Sequence, residues 1–199
     1  SPDGTVLALG RYTTVTLVNL TNGRHQTIDL PETVAFSPDG KLLAGARGDL
    51  GGVAVIKLWD VKQRRVLKTM RGHESFIQSV TFSPDSKTLA TAGADGTIKL
   101  WDVKTGRNRR TLEKHVLTVY DITFMNDGKT LVSAGYEGSV KFWDVATGRL
   151  LNTFTRERND FAAVSPDGKI LAWGTNEGKV SLWNTKTGKE YRVLTPKSK

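Results

Sequence analysis

The sequence contains no cysteine. That absence excludes a disulfide framework, a thiolate nucleophile and thiolate-ligated zinc or iron–sulfur centres. Long apolar runs are missing too, since no window approaches 18 uninterrupted apolar residues, and no membrane-spanning helix is written in the chain. The N-terminus lacks the charged-then-apolar layout of a signal peptide, which favours a cytoplasmic reading. Histidine is scarce: His25, His73 and His115 stand far apart in sequence, so no metal-ligand cluster and no cofactor site is expected. The one glycine-rich stretch, Gly48-Asp49-Leu50-Gly51-Gly52, lacks the Lys-Ser/Thr that a phosphate-binding loop needs. Helical periodicity of useful length is absent throughout.

What the chain does have is repetition. Its 199 residues, 38% of them hydrophobic, suffice for a sizeable core. Trp59-Asp60, Trp101-Asp102, Trp143-Asp144 and Trp183-Asn184 recur at separations of 42, 42 and 40 residues. An eroded copy, Leu17-Val18-Asn19, places Val18 41 residues before Trp59. A second marker runs in register with the first: Ser-Pro-Asp-Gly begins at Ser1, Ser37 and Ser165, with altered copies at Ser83-Pro84-Asp85-Ser86 and Met125-Asn126-Asp127-Gly128. Proline presets φ for the second turn position, aspartate bonds its own following backbone and glycine accepts positive φ, so each copy is a tight turn.

The clearest unit, residues 72–112, reads as four short strands. Val80 and Phe82 alternate with Ser79 and Thr81, and Ile98 and Leu100 alternate with Lys99 and Trp101, the period of two that a strand requires. Five units cover the chain, at about 1–30, 31–71, 72–113, 114–156 and 157–199. The first of them lacks an apolar strand ahead of its turn, so Ser1 is expected to fall between a first and a second strand. Four-stranded units of this length cannot bury both faces alone and must stack.

Gly-His, about thirty residues, then Trp-Asp, recurring with the Ser-Pro-Asp-Gly turn in register, resembles the WD40-repeat β-propellers over the whole chain. The resemblance implies an all-β propeller of four-stranded antiparallel blades. It also implies a hydrogen-bonded set within a blade: His73, Thr91, Asp95 and Trp101 in the third unit, His115, Ser133, Glu137 and Trp143 in the fourth. In the fourth, Lys114 replaces the glycine and Glu137 the aspartate. Gly45 and Trp173 occupy the hydroxyl position in the second and fifth units, which must rely on apolar packing. Read as chemistry, His, Ser or Thr, and Asp suggest a hydrolase triad, but a group that recurs in adjacent units with Thr for Ser suits a scaffold better.

For function, the resemblance implies a non-catalytic platform that binds a protein partner on the face carrying the strand-four-to-one and strand-two-to-three loops. The positions that vary there are Phe76, Gln78, Ala94, Thr118, Tyr120, Tyr136, Arg158, Asp160 and Asn176. Five units are fewer than the usual seven, so upstream repeats or another chain are expected to close the ring. A regulatory or sensor propeller within a larger multidomain protein is one alternative.

Charge supplies the other alternative. Lysine and arginine number 29 against 20 acidic residues, a net charge of +9. The basic residues gather after each tryptophan, as Lys62, Arg64, Arg65, Lys68 and Arg71, then Lys104, Arg107, Arg109, Arg110 and Lys114, then Lys186, Lys189, Arg192, Lys197 and Lys199. On an outermost strand such charges defend an open edge against aggregation. They also suit nucleic acid, although few aromatics interleave with them for base stacking.

Overall fold

The computed structural model describes residues 1–48, 54–112, 115–155, 161–165, 167–174 and 178–195, and every regular element among them is a strand. The first sheet holds β1 (Val6–Arg11), β2 (Thr14–Asn19) and β3 (His25–Ile28). The second holds β4 (Thr33–Phe36), β5 (Leu42–Arg47), β6 (Val55–Asp60) and β7 (Arg65–Arg71), and the third β8 (Ile77–Phe82), β9 (Thr88–Gly93), β10 (Ile98–Asp102) and β11 (Asn108–Leu112). The fourth comprises β12 (Val119–Phe124), β13 (Thr130–Gly135), β14 (Ser139–Asp144) and β15 (Leu150–Thr155), and the fifth β16 (Phe161–Val164), β17 (Ile170–Gly174), β18 (Val180–Asn184) and β19 (Lys189–Leu194). Each sheet is an antiparallel meander in chain order. The first strands β4, β8 and β12 lie side by side, as propeller blades do, and the array does not close into a ring.

The repeated turn is built from its own side chains. Ser37 Oγ donates to Asp39 Oδ1 at 2.7 Å while accepting from the Leu42 N–H, and Asp39 Oδ1 also accepts from the Lys41 N–H. Ser83 with Asp85 and Ser165 with Asp167 repeat the pattern. Where Met125 replaces the serine, Asp127 takes the Lys129 and Thr130 N–H groups itself. Gly40 stands at φ +70° in this turn; the third unit holds Ser86 at +60° instead.

Packing between sheets follows a size rule. Strand two of the second, third and fourth sheets turns alanine or valine toward the next sheet, which answers with a tryptophan, from strand three in the third and fourth sheets and from strand two in the fifth. Ala44 and Ala46 join Ile56, Leu58 and Met70 around Trp101, Ala90 and Ala92 join Ile98 and Leu100 around Trp143, and Val132 and Ala134 join Val140 and Phe142 around Trp173. Burying one indole removes on the order of 200 Å² of apolar surface, about 5 kcal/mol before entropy is charged. At the two ends of the array the same faces are uncovered, with Leu7 and Leu9 exposed on the first sheet and Ile170 and Leu194 on the last.

Simple alternation fails in the first strands. In β8 both Ile77 and Val80 are buried, an odd separation, because the register skips from Ile77 to Ser79 against β9. The bulge leaves Gln78 exposed and unpaired in the ladder. In β12 the register likewise skips from Val119 to Asp121, with Tyr120 as the extra residue.

The second sheet replaces the hydroxyl position with packing. Leu30, fully buried, precedes β4 and lies directly over Gly45, where a Cβ would come within 2.4 Å of Leu30 Cγ and 2.8 Å of the Pro31 carbonyl oxygen. The glycine is thus the complement of the leucine rather than a loss of function at that site. Putting the hydroxyl back without the histidine is therefore expected to harm the fold: Gly45→Thr lowers stability by more than about 2 kcal/mol, read as the midpoint shift in urea unfolding.

Candidate functional site

The third sheet carries a closed polar relay. His73 enters from the connection between β7 and β8, Thr91 from β9, Asp95 from the β9–β10 turn and Trp101 from β10. Trp101 Nε1 donates to Thr91 Oγ1 at 2.9 Å, and Thr91 Oγ1 lies 2.7 Å from His73 Nε2. His73 Nδ1 lies 3.0 and 3.2 Å from the two Asp95 oxygens. The donors fix the protons: an indole N–H only donates and a carboxylate only accepts, so the Thr91 hydroxyl proton points to Nε2 and Nδ1 carries hydrogen. Thr97 Oγ donates to Asp95 Oδ1 at 2.7 Å, and the Glu74 N–H reaches Oδ2 at 2.9 Å.

Burial alone would raise the Asp95 carboxyl, but the bonds from His73, Thr97 and the Glu74 backbone outweigh it and hold it well below the usual carboxylate range. The fourth sheet repeats the relay. Trp143 Nε1 donates to Ser133 Oγ and Ser133 Oγ meets His115 Nε2, both at 2.7 Å, while His115 Nδ1 contacts Glu137 Oε1, which also accepts from Ser139 Oγ at 2.5 Å. Burial depresses the His115 pKa, with Glu137 offsetting part of the effect, so its imidazole is held neutral. The longer Glu137 side chain leaves Oε2 buried without a partner, whereas Asp95 satisfies both oxygens. Thr97 and Ser139 complete both relays, a contribution the sequence reading missed. Their signal was present as a hydroxyl two residues beyond each acidic residue.

Geometrically, the His-Thr-Asp order is that of a hydrolase triad, but the hydroxyl is spent. Thr91 is fully buried, Ser133 nearly so, and each already accepts an indole N–H. In the fifth sheet Trp173 replaces the hydroxyl, and the Nε1 atoms of Trp173 and Trp183 are both buried without partners, their rings 6.0 Å apart.

Above the relays the connecting loops form one surface. The Ala94 N–H bonds the Phe76 carbonyl, the His115 N–H bonds the Gly96 carbonyl and the Tyr136 N–H bonds the Thr118 carbonyl, so each β-turn is tied to the connection beside it. Phe76 (37% exposed), Val116 (83%), Leu117 (47%) and Tyr136 (70%) stand out along this surface. Gln78 is exposed beside them, and Ala94 and Thr118 are half-buried. Tyr120 differs, because its ring packs against the core between the fourth and fifth sheets. Arg158, Asp160 and Asn176 lie outside the described residues, as do Asp49-Leu50-Gly51-Gly52, Lys114, Lys197 and Lys199. Val116 and Leu117 escaped the sequence reading, which favoured residues opening the first strand over those of the connection itself.

The basic clusters lie on and before the last strands β7, β11 and β19, each of which pairs only with the strand before it. Arg109 pairs with Asp102, and Arg110 Nη2 donates to the Ala146 carbonyl of the next sheet at 2.9 Å. No group of three or more His, Cys, Asp or Glu residues suited to a metal occurs among the described residues, and no helix is long and apolar enough to cross a membrane.

Comparison with known proteins agrees with this architecture. The family described as "WD domain, G-beta repeat" matches residues 64–102 and 106–144. The human "WD repeat and SOCS box-containing protein 1" is 36% identical over 85 residues, which is 42% of this chain and 18% of that protein. The rat "Apoptotic protease-activating factor 1" is 33% identical over 92 residues, 46% of this chain and 7% of that protein. The budding-yeast "General transcriptional corepressor TUP1" is 38% identical over 50 residues, 25% of this chain and 6% of that protein. The chain thus spans less than a fifth of the length of these relatives.

Two outcomes follow from the relay. Thr91→Val strands the Trp101 N–H and the His73 Nε2 together, and is expected to cost about 3 kcal/mol in denaturant unfolding. Asp95 contributes stability that is full above the unfolded carboxyl pKa near 3.9 and is lost as pH falls through its depressed folded value. The stability gap between the wild type and Asp95→Asn, about 2 kcal/mol, should therefore hold from pH 7 to about 4 and close below it.

Proposed function

We propose that this chain, with WD40 repeats at residues 64–102 and 106–144, serves as a rigid, non-catalytic interaction platform whose loop face binds a protein partner. The observation that carries this reading is the apolar ridge formed by Phe76, Val116, Leu117 and Tyr136, exposed on loops whose backbones are tied together and seated on buried relays. Exposed apolar side chains grouped on a rigid support mark an association surface, and aromatic anchors carry most of the affinity in such surfaces. The hydroxyls of the relays beneath are committed to an indole and an imidazole, which leaves them no nucleophilic role. A relative named as a WD repeat protein and another named as a corepressor are in keeping with a platform that brings other proteins together.

The basic outer strands support the platform in a different way, by keeping open sheet edges from pairing with other chains. Arg109 and Arg110 are already engaged within the protein, which favours this role over a nucleic-acid track. Tyr136→Glu and Phe76→Glu are expected to leave the melting temperature unchanged and to abolish retention of the proteins that wild type retains from an extract. Lys62→Glu and Arg107→Glu are expected to preserve it. Retention lost only on the basic-strand substitutions would overturn the loop-face assignment.

A further inference from the structure

The seam between the first and second sheets differs from the other three. Elsewhere its outer end is closed by a long side chain of the preceding sheet lying against a glycine in the next sheet's last turn: Lys68 and Met70 against Gly106, Arg110 against Gly148, Phe154 against Gly188. The first sheet offers only the four-residue β3, with Gln26 at the register of Lys68 and Arg110. A cavity of about 480 Å³ remains there. Leu17, Phe36 and Trp59 give it an apolar floor, and Trp59 is only partly buried, whereas Trp101 and Trp143 are closed off.

The turn that overlooks this cavity breaks the repeat's own rule. Gly23, Gly106, Gly148 and Gly188 occupy the equivalent position at φ between +67° and +76°, but the second sheet has Arg64 at +53°. Glycine takes that conformation without penalty and arginine does not, so the second sheet holds a side chain where the backbone disfavours one. Arg64 and Arg24 both line the cavity, and neither guanidinium is hydrogen-bonded or ion-paired with a described residue. No aspartate or glutamate lines it.

We propose that this groove is a second binding site, distinct from the loop face, and that it takes a short acidic peptide segment: carboxylates on Arg24 and Arg64, an apolar side chain over Trp59 and Phe36. The volume falls in the range of small-ligand sites, and the unopposed positive rim above an apolar floor selects an anionic, partly apolar guest. Guanidinium forks engage carboxylates in pairs, which suits two arginines facing one segment.

The test uses the whole chain and a fluorescently labelled, amide-capped peptide of sequence Asp-Asp-Leu-Phe-Asp-Asp, followed by anisotropy in low salt. Saturable binding is expected, weakened by added salt, and absent for the same peptide with lysine in place of aspartate. Arg64→Gly should weaken it at least about threefold and the double variant with Arg24→Gln about tenfold. Arg64→Gly relieves the backbone, so its melting temperature should hold or rise, and Tyr136→Glu on the loop face should bind the peptide as wild type does. Three results would overturn the proposal: no saturation up to about 1 mM peptide, equal affinity for wild type and the double variant, or full displacement of the peptide by an equal concentration of inorganic phosphate. Loss of binding in Tyr136→Glu alone would assign the peptide to the loop face instead.

Discussion

Everything in this architecture hangs on one buried hydroxyl per relay-bearing sheet. Thr91 and Ser133 each accept an indole proton on one side and give their own proton to an imidazole on the other, at 2.7 to 2.9 Å. That joins strand two to strand three and to the connection entering the sheet. Because the hydroxyl has one proton, the imidazole must carry its hydrogen on the far nitrogen, and a carboxylate in the next turn is then required to receive it. A single side chain thus dictates the tautomer, the acid and the loop conformation above. The low dielectric of the site strengthens each bond and makes any missing partner expensive.

Comparison of the sheets shows what happens when members of that set are lost or altered. The second sheet kept Trp59 but withdrew the hydroxyl and the histidine together, and Leu30 against Gly45 fills the space they would take. The fifth kept its tryptophan and lost the acceptor, so the Trp183 N–H is stranded beside Trp173. The fourth kept all four members but lengthened the acid, and the cost is one unpaired carboxylate oxygen. These solutions rank as polar chemistry predicts, with fully apolar replacement leaving less unsatisfied than a partial network.

Much of this was legible before the fold was seen. Tryptophan spacing, the Ser-Pro-Asp-Gly turns and the alternation of Ile98 with Leu100 specify four-stranded units, since a period of two and a fixed turn leave little choice of register, whereas the members of both relays follow from the resemblance to WD40 repeats and not from the period. Three features were not. The bulges at Gln78 and Tyr120 obey no period, so the sequence shows only an odd gap between buried residues such as Ile77 and Val80. Tyr120 consequently packs its ring against the core, where a partner-facing residue opening the first strand was expected. Val116 and Leu117 are exposed because their connection is pinned by backbone bonds, which composition does not encode. And an arginine in a left-handed turn reads, in sequence, as one more basic residue in a cluster.

That last point bears on how a repeat protein divides its surface between structure and recognition. A repeat is a built-in comparison, since each position is sampled several times under nearly the same physical constraint. Where all copies agree, as with the turn aspartates that cap their own backbone, the constraint is local and structural. Where copies differ, as Phe76 and Thr118 do at one loop-surface position and Ala94 and Tyr136 at another, the shared fold does not fix the residue. Arg64 belongs to a third class, in which one copy departs from the others against its backbone preference. A departure that costs stability and gains no hydrogen bond or ion pair within the described chain points outward, to something the side chain meets only when bound.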